Sequence, residues 1–227
     1  MDDEKVLCEV TENHLNTGLR GIPVGTCRTS FVTPTEGVHY CGYPIKELVD
    51  FSPEDIIYLL FNKELPTTDQ SSAFKADLAA RGHVPSGLAN VLQTLPKDGH
   101  PMDWLSVGIQ TLGMLETTDD WREDSLNLIA RMPRLMGLIF RYREGKGADI
   151  AADDTSKSLV QRFVDTVGVD EHLRAKMERV VSTYLVLHMD HGGGNLSTFT
   201  GKSMASGKAT VYSAIAGAMN ALSGPLH

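Results

Sequence analysis

Cysteine is scarce in this chain and shows no pattern. Cys8, Cys27 and Cys41 are the only three, and no two have the spacing of a zinc knuckle or a redox pair, so neither a disulfide framework nor a structural zinc site is expected. Long apolar runs are also missing, because no stretch approaches the ~18 uninterrupted apolar residues of a membrane-spanning helix. The first residues, Met1-Asp2-Asp3-Glu4-Lys5, are acidic where a secretory leader is basic and then apolar. These features predict a soluble, cytoplasmic protein with reduced thiols. Basic charge is in deficit: 21 Lys and Arg stand against 29 Asp and Glu, a net charge of -8. That balance disfavours nucleic acid and anionic membrane surfaces, both of which need a basic face. The expected partners are small molecules and other proteins.

What is present suffices for a real core, since 227 residues with 41% hydrophobic content build one large domain or two small ones. From Gly18 to Tyr43 the chain is rich in Thr, Val, Phe and Tyr and is broken by Pro34-Thr35-Glu36-Gly37, which predicts a small β-hairpin. Beyond it the pattern is helical. Ser52-Pro53-Glu54-Asp55 has the cap, the proline and the acids of a helix start, and Thr67 with Gln70 has capping-box spacing. Later helices are predicted over Pro85 to Thr94, Pro101 to Leu115, Asp124 to Arg143, Ser156 to Thr166, Asp170 to His191, and twice more between Asn195 and Leu222. The helix from Asp170 becomes apolar on nearly every side and is expected to be central. A mobile loop is expected between Gly145 and Asp154. The organisation expected is a tail over 1–17, a hairpin region over 18–43, and one all-α helical domain over 44–227.

At the end of the Asp170 helix, His188 and His191 lie three residues apart and share a face, with Asp190 between them. Gly192-Gly193-Gly194 then ends the helix, because glycine tolerates the conformations of a sharp exit. Two histidines over the terminal carbonyls are explained by helix-end packing alone. A His-x-x-His metal site is the other reading, although there is no HExxH signature and no obvious third ligand.

Longer motifs carry more. The run His188-Met189-Asp190-His191-Gly192-Gly193-Gly194-Asn195-Leu196-Ser197-Thr198-Phe199-Thr200 resembles the HxDHxxxNxSTFT signature of the citrate synthase superfamily. Tyr212-Ser213-Ala214-Ile215-Ala216 to Gly224-Pro225-Leu226-His227 resembles its YSAIAxAxxALxGPLH signature. Gly18 to Val24, Gly42 to Leu48, Tyr58 to Pro66 and His100 to Asp103 are similar to further family segments in order and spacing. The resemblance runs from Gly18 to the last residue, with Gly192 where many members carry Glu and Cys41 where many carry Arg.

The resemblance implies the family's large-domain helical bundle and a Claisen-type condensation of acetyl-CoA with oxaloacetate, giving citrate and coenzyme A. It implies no metal and no cofactor, coenzyme A arriving as part of the substrate. Position by position, His227 would donate a hydrogen bond to the thioester oxygen as enolate charge develops, and Ser197 would bond the other ring nitrogen. His191 would hold oxaloacetate, Asn195 would line the same pocket, and His188 would either support the site or simply pack. The family's second histidine, its aspartate base and its carboxylate-clamping arginines have no counterpart in these residues, nor does its small domain. The expectation is therefore a subunit that needs a complementary C-terminal citrate synthase chain, within a homo- or hetero-oligomer, and that is inactive alone. A 2-methylcitrate synthase or citryl-CoA lyase component, or a non-catalytic partner of an intact synthase, remains open.

Overall fold

The computed structural model describes residues 5–16, 23, 25–147, 154, 156–190, 192, 194–225 and 227. A short 3-10 turn at Glu12–Asn16 precedes a small antiparallel sheet of β1 (Ser30–Thr33), β2 (Gly37–Tyr40) and β3 (Tyr43–Pro44). Ser30 pairs with Tyr40 and Thr33 with Gly37, so the Pro34 to Glu36 connection is the hairpin turn that the sequence predicts. Gly37 has φ 79°, in the left-handed region that a tight turn reserves for glycine. The rest is helical: α1 (Ile45–Leu48), α2 (Pro53–Asn62), α3 (Thr68–Arg81), α4 (Ser86–Gln93), α5 (Pro101–Glu116), α6 (Trp121–Arg143), α7 (Leu159–Val167), α8 (Glu171–His188), α9 (Leu196–Ser206) and α10 (Val211–Leu222).

The helix starts follow from their caps. Ser52 accepts from Asp55 N at 3.3 Å, with Pro53 in the first turn of α2, and Thr67 and Gln70 form a complete capping box on α3. The α6 helix begins at Trp121 rather than Asp124, because Asp120 Oδ1 accepts from Arg122 N at 2.7 Å and Glu123 N at 3.3 Å. Ser158 and Gln161 form a second capping box, moving the start of α7 to Leu159 from the expected Ser156.

Three apolar clusters hold these elements together. Leu88, Leu92, Trp104, Leu112, Leu135 and Tyr212 join α4, α5, α6 and α10. Tyr40, Leu48, Ile56, Leu59 and Val186 fasten the hairpin to α1, α2 and α8. Ile57, Leu78, Leu126, Ala130 and Leu159 link α2, α3, α6 and α7. Each fully buried leucine contributes roughly 2 kcal/mol, so the clusters outweigh any single polar contact.

Two expectations need correction. The α8 helix is not central within this chain. Val186 is its one fully buried residue, while Leu173, Met177, Val180, Tyr184 and Leu187 stand exposed at the alternating four- and three-residue spacing of one helix face. Apolar residues all round had suggested enclosure, but one of the faces has no covering element among the described residues. The helix also ends at His188 rather than His191. The expected mobile loop at Gly145 to Asp154 falls largely outside the described residues, as do residues 18–22 and 24 of the hairpin region.

Candidate active site

Geometry at the end of the chain follows from two helices of nearly equal length. At ~1.5 Å per residue, α9 spans ~17 Å and α10 ~18 Å, so a tight reversal between them returns Leu222 to the level of Leu196. The reversal is built by Gly207 N and Ala209 N, which donate to Met204 O at 3.1 and 3.3 Å, and by Lys208 at φ 61°. Thr210 then caps α10 by accepting from Ser213 N at 3.2 Å. The helices pack closely because Gly217 faces Met204; a Cβ there would lie 2.1 Å from the Met204 sulfur. A last turn, with Pro225 following Gly224, closes through His227 N donating to Gly224 O at 3.1 Å.

This path brings together residues thirty positions apart. His227 Nε2 lies 3.0 Å from Ser197 Oγ. Ser197 Oγ donates to Asn195 Oδ1 at 2.9 Å, and the same Oδ1 accepts from Thr198 N at 2.7 Å as the cap of α9. His227 is exposed and Ser197 half-buried. The cluster therefore sits at a helix N-terminus, where unsatisfied N–H groups favour developing negative charge.

The loop leading into Asn195 is held from the other side by the hairpin. Tyr40 is fully buried; its hydroxyl donates to Val186 O at 2.9 Å and accepts from Met189 N at 3.1 Å and Asp190 N at 3.3 Å. One phenol thus terminates α8. Thr29 Oγ1 donates to Asp190 Oδ2 at 2.5 Å, and Asp190 Oδ1 accepts from Gly192 N at 3.0 Å. Gly192 has φ 83° and Gly194 φ 141°, positions strained for any side chain. The Tyr40 and Thr29 contacts were not read from the sequence, since an alternating strand signals burial of Tyr40 but not its partner 146 residues away.

His191 lies outside the described residues. His188 keeps its hydrogen bond and its ring contact within its own helix: Nδ1 is 2.9 Å from Tyr184 O, and the two rings stack at 4.2 Å. Cys27 adjoins the same loop, its Sγ 3.5 Å from Thr29 Oγ1 and Ser30 Oγ and 4.0 Å from Asp190 Oδ2. Burial opposes a charge on this thiol, but the Ser30 and Thr29 hydroxyls and amides outweigh it and lower its pKa to about 7. Burial pushes the Cys41 thiol the other way, upward, despite Lys63. Among the described residues, no three His, Cys, Asp or Glu side chains gather as a metal site.

The sequence family described as citrate synthase, C-terminal domain, matches residues 18–227. This chain belongs to the citrate synthase family. It is 30% identical to the mitochondrial citrate synthase of Daucus carota, over 97% of this chain and 51% of that protein. It is 34% identical to 2-methylcitrate synthase 2 of Corynebacterium glutamicum, over 97% of this chain and 60% of that protein. The citrate synthase of Thermotoga maritima superposes with a TM-score of 0.79 at 27% identity, over 93% of this chain and 56% of the other. The Thermoplasma acidophilum citrate synthase, solved in ternary complex with carboxymethyl coenzyme A and oxaloacetate, superposes at 0.81 with 21% identity and bears on the fold alone. This member of the citrate synthase family spans about half the length of the curated relatives it matches.

Two clefts of about 360 Å³ lie elsewhere. Lys157, Gln161 and Arg174 line one; Glu54, Ser158 and Arg179 line the other. Neither includes Asn195, Ser197 or His227.

Proposed function

We propose that this chain is one component of a citrate synthase that condenses acetyl-CoA with oxaloacetate, the remainder of the site being carried on a second, complementary chain. The observation that carries this reading is the pairing of His227 with Ser197, whose hydroxyl is held in turn by Asn195. A ring fixed at one nitrogen is oriented at the other. Placed against a thioester oxygen, such a ring acts where enolate charge develops, a contribution commonly worth ~3 to 4 kcal/mol. His191 would hold oxaloacetate beside it, Asn195 would line the pocket, and His188 would pack at its edge.

The match to about half of each relative supports a site completed from outside these residues, because among the described residues no carboxylate bonds His227. Without a base, the α-proton of the acetyl group has nowhere to go, and isolated turnover is not expected. The exposed stripe of α8 supports assembly into a homo- or hetero-oligomer. Three free thiols suit a reducing, cytoplasmic compartment.

A second reading has an observation of its own: the 34% identity to a 2-methylcitrate synthase favours propionyl-CoA as the thioester. The test is co-expression with a chain matching the remaining half of the relatives, followed by coenzyme A release with oxaloacetate and either thioester. Release from acetyl-CoA by the pair alone supports the proposal. Preference for propionyl-CoA selects the second reading, and robust release by this chain alone overturns the split.

A further inference from the structure

The Asn195–Ser197–His227 chain contains one hydroxyl proton and two places it could go. Asn195 Oδ1 is fixed as an oxygen, because Thr198 N–H, which can only donate, lies 2.7 Å from it. Ser197 Oγ lies 2.9 Å from that same Oδ1. Two oxygens at that separation repel unless a proton lies between them, and only the serine hydroxyl can supply it. Ser197 Oγ is then left with lone pairs alone towards His227. At 3.0 Å from Oγ, His227 Nε2 must be the donor.

We propose that Asn195 is the positioning residue of this site: by taking the Ser197 hydroxyl proton it holds His227 in the Nε2–H tautomer, with Nδ1 as a bare acceptor. This inference rests on the proposed function only for its consequence. A ring that donates from Nδ1 to a thioester oxygen needs the opposite arrangement. Loading would therefore rotate the Ser197 hydroxyl from Asn195 to Nε2, while the Nε2 proton passes to solvent and Nδ1 takes one proton up. The proton count is unchanged, no bond between heavy atoms is altered, and the cost is one hydrogen bond to Asn195. Asn195 would thus bias the site towards a resting state that cannot polarise a thioester until substrate or a partner chain competes for Ser197.

The ring nitrogens report this directly. Long-range ¹H–¹⁵N correlation spectra of the labelled chain would be recorded at pH ~8, where an ordinary imidazole is neutral, with His227→Gln identifying the signals of His227. A protonated Nε2 and a bare Nδ1 are expected in the unaltered chain and in Asn195→Asp, which keeps an acceptor and a helix cap. Asn195→Ala frees the hydroxyl for Nε2 and should move the tautomer ratio about tenfold towards Nδ1–H, the factor one ordinary hydrogen bond commands. A helix cap with no hold on the proton would leave that ratio unmoved. An Nδ1–H ring in the unaltered chain, or an unchanged ratio in Asn195→Ala, overturns the inference. Should Asn195→Ala fail to fold, Asn195→Gly, which also lacks the acceptor but is tolerated as a helix cap, takes its place: a shift towards Nδ1–H supports the inference and an unchanged ratio overturns it. The measurement uses neither thioester nor partner, so loss of the proposed function leaves it standing and its own failure leaves the reaction untouched.

Discussion

Tyr40 donates a 2.9 Å hydrogen bond to the carbonyl of Val186, tying the hairpin to the last turn of α8. The same oxygen accepts from Met189 N and Asp190 N, so one buried hydroxyl meets one of the carbonyls that a helix C-terminus leaves unpaired and two amides just beyond it. The strand thereby fixes where α8 stops and where the loop towards Asn195 begins.

Tyr40→Phe removes that oxygen while keeping the ring in its cluster. A destabilisation of ~1 to 3 kcal/mol is expected, since two backbone amides and a carbonyl lose their partner. Hydrogen exchange at Met189 and Asp190 should quicken beyond the global change. Exchange at those amides matching the rest of the molecule would contradict the capping role.

Asp55 is a lever on acid stability. Burial acts to raise its pKa, but bonds from Ser52, Ser71 and Lys75 outweigh it and hold the carboxyl below its ordinary value. A pKa depressed on folding adds stability that is fully present above the unfolded value, ~3.9, and is lost as pH falls through the folded one. Asp55→Asn should therefore be less stable at neutral pH and lose less on acidification. Urea midpoints from neutrality down to pH ~3 check this; parallel curves would refute it.

Much of the fold is legible along the chain and some of it is not. The hairpin turn, the Ser52 start and the Thr67–Gln70 box are local, depending on residues within four positions, and they stand where the sequence puts them. Contacts between distant residues left no such mark: Glu54 accepts from Leu159 N at 2.7 Å across 105 positions, and Thr29 reaches Asp190 across 161. The place of α8 is not legible in the same way, because an apolar face along a sequence marks a surface suited to burial and does not say what buries it. Ser197 and His227 were named through resemblance to family motifs. Their spacing alone would not have paired them, since that needs the α9–α10 reversal.

The α8 stripe should govern association. Replacing Val180 and Tyr184, which are 56% and 60% exposed, with lysine places charge on the apolar face. Light scattering after size exclusion should show the unaltered chain associating with concentration and the double variant staying monomeric with unchanged helicity. Equal mass distributions would exclude this face as the contact.

The proposed function turns on His227. In the assembled pair, His227→Ala is expected to lower coenzyme A release from acetyl-CoA and oxaloacetate by ~100-fold or more while the two chains still copurify. Release at the unaltered rate from that variant would contradict the placement of this histidine at the centre of the chemistry.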